Sequence, residues 1–310
     1  MRERVTVLAG GVGGAKLVLG LADVVPHECL TVIGNTGDDV VRHGLWVSPD
    51  LDILTYTLAD VIDTEKGWGY REETFRVLET LRALGEETWM NLGDRDLATH
   101  LFRTERRAAG MRATEIAGEL ARRLHVRVSL LPPTDDDVQT RVKTPLGWLN
   151  FQEFYIRERC RPDVEEVAFA GAAKASATPE AVAAIEAATR LVFAPSNPIA
   201  SIGPILAVPG IRAAIQRCRG RRIAVAPLIG GACLKGPTLK MMAAQGFAPD
   251  LGGVAAFYRG LVDEFWIDPR DTSWKEALER EGLQVRLADL LLNTREQKTA
   301  LARHLCALEK

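Results

Sequence analysis

Residues 8–16 read Leu-Ala-Gly-Gly-Val-Gly-Gly-Ala-Lys. Four glycines and a lysine thus lie between two apolar runs, Val5-Thr6-Val7-Leu8 and Leu17-Val18-Leu19-Gly20-Leu21. That order predicts a strand, a glycine turn and a helix. Glycines at 10, 11, 13 and 14 let the backbone bend tightly and come close to a ligand. The helix start behind them offers unpaired N–H groups and the positive end of a dipole. A diphosphate suits such a place, with Lys16 adding a charge. Neither common nucleotide pattern fits: G-x-G-x-x-G read from Gly11 meets Lys16 at its third glycine, and a P-loop would need Gly at Ala15 and Ser or Thr at Leu17. A tight turn without a ligand is the plain alternative, since glycine-rich turns are common in α/β folds.

Four other runs carry chemistry. Gly34-Asn35-Thr36-Gly37-Asp38-Asp39 follows the second apolar run; Asn35 and Thr36 can read a base or sugar edge, and an Asp can accept from a ribose hydroxyl. Alone, this run reads as a turn. In Ser48-Pro49-Asp50-Leu51-Asp52, two carboxylates two residues apart can share Mg²⁺, which prefers oxygen ligands. Alone, it reads as helix capping, with acids in the first turn. Asn91-Leu92-Gly93-Asp94-Arg95-Asp96-Leu97-Ala98-Thr99-His100 is dense in charge. Arg95 between two acids can be held rigid for a phosphate or polar ring; equally, the run is a capped helix with an i,i+4 pair of Asp96 and His100. Late in the chain, Pro195-Ser196-Asn197-Pro198 and Ile229-Gly230-Gly231 each follow a strand pattern and make rigid polar loops.

These runs need a frame that brings them together. Continuous apolar stretches predict buried parallel strands near 4–8, 30–33, 126–130, 138–143, 167–169, 191–194, 223–226, 265–267 and 284–287. Helical patterns alternate with them at 15–23, 71–84, 95–107, 113–124, 179–188, 209–217, 274–281 and 294–308. Thr178-Pro179-Glu180 looks like an N-cap with Pro in the first turn. The expected fold is α/β: a Rossmann-like, doubly wound, mainly parallel sheet forming one domain over 1–310, with a helical insertion near 60–124. Ligands in such sheets sit outside the carboxyl ends of the strands, so the polar runs should line one crevice.

Composition narrows the class. The chain of 310 residues is 47% hydrophobic with a net charge of −2, long enough for a sizeable core. Its 39 Lys and Arg against 41 Asp and Glu argue against nucleic acid. Five scattered cysteines without a C-x-x-C pair fit a reducing cytoplasm. Neither a signal peptide nor a membrane span is expected. The five histidines read as surface or capping residues rather than catalysts.

Taken in order, GGVGGAK, IGNTGDD, SPDLDILTYTLAD, LGDRDLATH and APSNPIASIGPIL closely resemble the 2-phospho-L-lactate transferase family of coenzyme F-420 biosynthesis. The resemblance runs from Val5 to about Asp268. It implies a Rossmann-like core, a homodimer and a Mg²⁺-dependent transfer. A phosphate-linked three-carbon acid, lactate or enolpyruvate, passes from a guanosine diphosphate-type donor to the ribityl hydroxyl of the deazaflavin Fo, and GMP leaves. By position, Gly10, Gly11, Gly13, Gly14 and Lys16 resemble the diphosphate cradle. Asn35, Thr36, Ser196, Asn197 and Gly230 resemble nucleotide contacts. Asp50 and Asp52 resemble the metal and acceptor site, Asp50 as principal ligand and Asp52 as ligand or base, with Arg95 near Fo. Some archaeal-type members have a Thr-rich turn ending in Pro-Lys, so this G-A-K version leaves the donor's acid open. Two alternatives remain: a non-catalytic UDP-sugar-binding regulator on the same fold, whose relatives lack SPDLD and GDRDLATH in this form, and an NAD(P) oxidoreductase, disfavoured by the broken fingerprint and by Asn35 where an acid is expected.

Overall fold

The computed structural model describes residues 3–233 and 236–307; Leu308, the expected end of the last helix, lies outside them. From the amino end, β1 (Val5–Ala9) leads through α1 (Gly11–Ala22) to β2 (Leu30–Gly34). A hairpin of β3 (Val40–Arg42) and β4 (Leu45–Val47) follows, then α2 (Pro49–Leu58), α3 (Arg76–Ala83), α4 (Asp94–Ala108), α5 (Ala113–Arg123) and β5 (Ser129–Leu131). Next come β6 (Gln139–Thr144), β7 (Gly147–Asn150), β8 (Glu166–Ala170), α6 (Pro179–Glu186) and β9 (Arg190–Phe193). After α7 (Gly203–Ala207) and α8 (Ile211–Arg217) the chain forms β10 (Arg221–Val225) and a small hairpin, β11 (Leu228–Ile229) with β12 (Ala232–Cys233). It closes with α9 (Thr238–Ala244), α10 (Leu251–Phe257), β13 (Glu264–Ile267), α11 (Lys275–Arg280), β14 (Gln284–Leu287) and α12 (Arg295–Cys306).

Seven strands make one sheet in the order β14-β13-β10-β9-β1-β2-β5, and every pairing in it is parallel. Helices cover it, so β1, β9 and β13 are buried along their whole length. That is why they are largely apolar rather than alternating, with Thr6, Arg190 and Glu264 as the exceptions. The chain runs outward from β1 to β5, returns to β9 beside β1, and runs outward again. The order therefore reverses between β1 and β9, and the carboxyl ends of these two strands open the crevice where such sheets bind ligands. The glycine run leaves β1 and Pro195-Ser196-Asn197 leaves β9, so both flank that reversal.

Two strand runs belong elsewhere. Those at 138–143 and 167–169 are β6 and β8, which pair antiparallel with each other in a separate three-stranded sheet, order β7-β6-β8. β6 alternates half-buried and fully buried residues, the mark of a sheet with one wet face. α1 also begins earlier than its apolar pattern suggests: it spans Gly11–Ala22 with Gly10 at the N-cap position, so the glycines lie at its entry and in its first turn. The helix expected at 71–84 starts only at Arg76, where Asp94 accepts from the backbone N–H groups of Arg76 and Val77 (both 3.1 Å). Thr178 caps α6 as expected, accepting from the Ala181 N–H at 3.2 Å. Among the described residues no single helix is long and apolar enough to cross a membrane.

α1 packs between α2 and α12, while α4 lies against β4 and α5. This brings the first turns of α1, α2 and α4 around one space.

Candidate functional site

That space is a cavity of about 650 Å³, within the range of small-molecule sites. Its floor is the α1 start, with Gly10, Gly11, Gly13 and Lys16 in the lining. Glycine is required there by packing as well as by any ligand. A Cβ on Gly10 would lie 2.3 Å from Asp50 Oδ2, and one on Gly13 would lie 2.4 Å from the Pro195 carbonyl oxygen. Gly11 takes φ +64°, a left-handed conformation that side chains resist. Gly14 is absent from the lining and packs on Ser196.

The β9 loop is fastened to this turn. Ser196 Oγ accepts from the Gly10 N–H (3.1 Å) and donates to the Gly10 carbonyl (2.7 Å). Asn197 Oδ1 accepts from the Ile199 and Ala200 N–H groups at 2.9 and 3.1 Å. Both side chains line the cavity. Asn35 does not. It is fully buried behind the wall, donating to Asp50 Oδ2 (2.9 Å) and accepting from the Gly37 N–H (2.8 Å). It therefore sets the orientation of Asp50 rather than touching what the cavity holds.

Asp50 and Asp52 both line the cavity but are not held as a pair. They lie in the first turn of α2, where residues two apart point to different sides. Asp50 faces Asn35, the Gly11 backbone and Asp38; burial lifts its carboxyl to about 6. Asp38, also in the lining, is pushed well above the ordinary range, first by burial and then by the Asp50 charge. Asp38 Oδ1 has no hydrogen-bond partner among the described residues. Asp39 is likewise lifted by burial, to about 7, although Trp46 Nε1 (2.8 Å) and Ser48 Oγ (2.7 Å) donate to its Oδ2. Ser48 thus serves Asp39 instead of capping α2.

Asp52 turns toward α4. Its Oδ1 takes an ion pair from Arg103, and its Oδ2 lies 3.7 Å from His100 Nδ1. Asp96 Oδ2 lies 3.4 Å from His100 Nε2, the expected i,i+4 pair, and Tyr56 Oη donates to Asp96 Oδ1 at 2.7 Å. Burial raises the Asp52 carboxyl, opposed first by Arg103 and then by His100. His100 is 1% exposed, which overturns the surface or capping expectation for this histidine, whereas His27, His125 and His304 are exposed as expected. Its signal was the spacing from Asp96; the meeting with Asp52 is a long-range contact. Asp38, Asp96 and Arg103 were likewise outside the expected set.

The rest of the charged run on α4 makes local contacts. Asp94 caps α3, and Glu73 accepts from the Arg95 and Asp96 N–H groups at 2.9 and 3.1 Å. Arg95 is exposed, donates to the Arg71 carbonyl (3.3 Å), and is absent from the cavity lining. Thr36 lines a separate small pocket of about 40 Å³ with Asp39 and Arg103. Gly230 sits at the β11–β12 turn, where its N–H donates to Asp271 at 2.8 Å; its neighbour Ile229 reaches the cavity. Aromatic side chains that no periodicity marks complete the wall: Tyr56, Trp68, Phe151 and Tyr155, the last two stacked with centroids 5.5 Å apart. An apolar wall and a glycine-lined helix start in one cavity suit a ligand with a flat ring at one end and phosphate at the other, and the buried acids suit a cation.

Residues 5–303 match the family model described as 2-phospho-L-lactate transferase CofD. A 2-phospho-L-lactate transferase of Methanosarcina acetivorans is 39% identical over 302 residues, covering 97% of this chain and 98% of the relative. A phosphoenolpyruvate transferase of Streptomyces griseus is 40% identical over 306 residues, covering 97% and 96%. In fold, the chain is similar to a Bacillus halodurans protein of known crystal structure, with a TM-score of 0.66 at 16% identity over 99% of both chains.

Proposed function

Because the chain belongs to the CofD family of 2-phospho-L-lactate transferases, we propose that it moves a 2-phospho-L-lactyl or phosphoenolpyruvyl group from a guanosine diphosphate-linked donor to the ribityl hydroxyl of Fo, as a step toward coenzyme F-420. The observation that carries this reading is the single cavity in which the α1 glycine turn, buried acids and an aromatic wall meet. The acceptor oxygen attacks the phosphorus bearing the three-carbon acid. A new P–O bond forms, the bond from that phosphorus to the bridging oxygen breaks, and GMP departs with that oxygen. The hydroxyl proton passes to Asp50 or Asp52, the two α2 carboxylates in the wall. The α1 N–H groups and Lys16 offset the charge that gathers on GMP. Positioning and charge compensation are most of what such transfers need.

Mg²⁺ fits the Asp50 side of the cavity. Two buried carboxylates, Asp50 and Asp38, face each other's charge there, and Asp38 Oδ1 lacks a partner among the described residues. They would hold the ion through oxygen, the donor it prefers, and it would neutralise the diphosphate. Asn35 acts from behind, fixing Asp50, while Ser196 fixes Gly10 from within the lining. Arg95 lies outside this cavity and takes no direct part in the reading. Incubating the protein with Fo, Mg²⁺ and each donor tests it: product of the expected mass should form together with GMP, and preferentially from one donor. Failure with both donors, with tight binding of another nucleotide, would leave the fold shared and the function different.

A further inference from the structure

The Asp52–Asp96–His100 cluster is built differently from the Asp50 side. Each carboxylate has one oxygen fixed by a neighbour: Arg103 holds Asp52 Oδ1 and Tyr56 holds Asp96 Oδ1. The second oxygen of each is turned toward His100, at 3.7 Å from Nδ1 for Asp52 and 3.4 Å from Nε2 for Asp96. One ligating atom from each of the three residues can be chosen so that all lie within 4.8 Å of one another. Asp52 Oδ2 and His100 Nε2 have no hydrogen-bond partner among the described residues, although Asp52 is 4% and His100 1% exposed. Buried polar atoms without partners are uncommon, and a bound cation would satisfy both of these at once. All three residues line the cavity, so an ion here has a path in and room for further ligands.

We propose that Asp52, Asp96 and His100 form a second cation site, selective for a divalent transition metal such as Mn²⁺ over Mg²⁺. The donor set carries the argument. Two carboxylate oxygens with one imidazole nitrogen suit first-row transition ions, whereas Mg²⁺ favours all-oxygen surroundings such as Asp50 offers. Fixing one oxygen of each carboxylate while leaving the other free is how an outer shell orients metal ligands. The competing arrangement needs no metal: Arg103 Nη1 donates to His100 Nδ1 at 3.3 Å, and the Nε2–H of that tautomer faces Asp96 Oδ2.

Pulsed electron paramagnetic resonance on the full chain with Mn²⁺ alone separates the two. A directly bound imidazole gives a nitrogen-14 coupling. We expect that coupling in the wild-type protein, its persistence with excess Mg²⁺, and its loss in His100→Gln. Tyr56→Phe keeps His100 but frees Asp96, and should weaken this Mn²⁺ site about 10–100-fold. Circular dichroism melts of both variants check folding; if His100→Gln does not fold, loss of coupling in Asp96→Asn serves in its place. A wild-type spectrum without nitrogen coupling, or a coupling that survives His100→Gln, overturns the site. No substrate is present, so the result is independent of the transferase reading: a protein that transfers with Mg²⁺ yet shows no coupling loses only the second site.

Discussion

At the scale of single residues, the cavity is held by contacts too close to tolerate added atoms. A methyl group on Gly10 would meet Asp50 Oδ2 at 2.3 Å and Ser201 Cβ at 2.8 Å, so Asp50 must move. Gly10→Ala should lower kcat about 100-fold, the typical cost of a displacement near 1 Å in a reacting site, with a stability loss of about 1–3 kcal/mol. Steady-state kinetics beside urea unfolding separate the two effects, and an unchanged kcat would show that this contact does not place Asp50. Two of the four arginines of α4 make a contrasting pair. Arg103 is buried against Asp52, whereas Arg95 is exposed. Arg103→Ala strands a buried carboxylate and should cost about 3–5 kcal/mol; Arg95→Ala should stay within about 0.5 kcal/mol. Equal unfolding midpoints for the two variants would contradict that assignment.

At the scale of elements, α3 and α4 cap each other. Asp94, the first residue of α4, accepts from the α3 start, while Glu73, just before α3, accepts from the Arg95 and Asp96 N–H groups. Either change, Asp94→Ala or Glu73→Ala, should cost about 1 kcal/mol. They should differ in place: hydrogen exchange should quicken in α3 for the first and in the first turn of α4 for the second. Identical exchange maps would mean that the caps are not separate. This exchange of caps explains what the sequence made legible. A dense G-D-R-D run marks a helix start, and both of its acids have specific contacts: Asp94 with the α3 start, Asp96 with Tyr56 and His100. Which acid faces the cavity follows from where α3 ends up, a non-local fact. The main-sheet strands were legible because burial on both faces leaves continuous apolar runs; β6 and β8 were legible as strands, but their membership of a second sheet depends on pairing that no local pattern records. Asp50 and Asp52 were visible as a pair in the chain. Helical geometry then sends them to different partners, Asp38 and His100. The aromatic wall stayed hidden because its members are far apart in the chain: Trp68 lies in a bend after α2, whereas Phe151 and Tyr155 share a short helical segment after β7.

At the scale of the whole molecule, the net charge is close to zero while the interior beside the cavity is strongly acidic. Asp38, Asp39, Asp50, Asp52 and Asp96 are buried there, with Arg103 as the buried guanidinium among them. Such a concentration of acid opposes folding and is tolerated where a site requires it. The pH dependence should show this. Burial raises Asp39 to about 7 and Asp50 to about 6, and lifts Asp38 and Asp52 as well. Between the ordinary carboxylate value near 4 and those raised values, the folded chain keeps protons that the unfolded chain has released. The unfolded state then binds fewer protons, so stability falls as pH rises through that window. The stabilising contribution is full below about 4 and gone above about 7 for Asp39. Asp39→Asn isolates one group from the sum. Asparagine keeps an oxygen for Trp46 Nε1 and Ser48 Oγ and cannot ionise. Its advantage over the wild type in urea midpoint should be small near pH 4, grow up to about pH 7 and level off above it. A difference that stays constant across that range would place the Asp39 titration in the ordinary range and remove it from the charge that the fold has to hold.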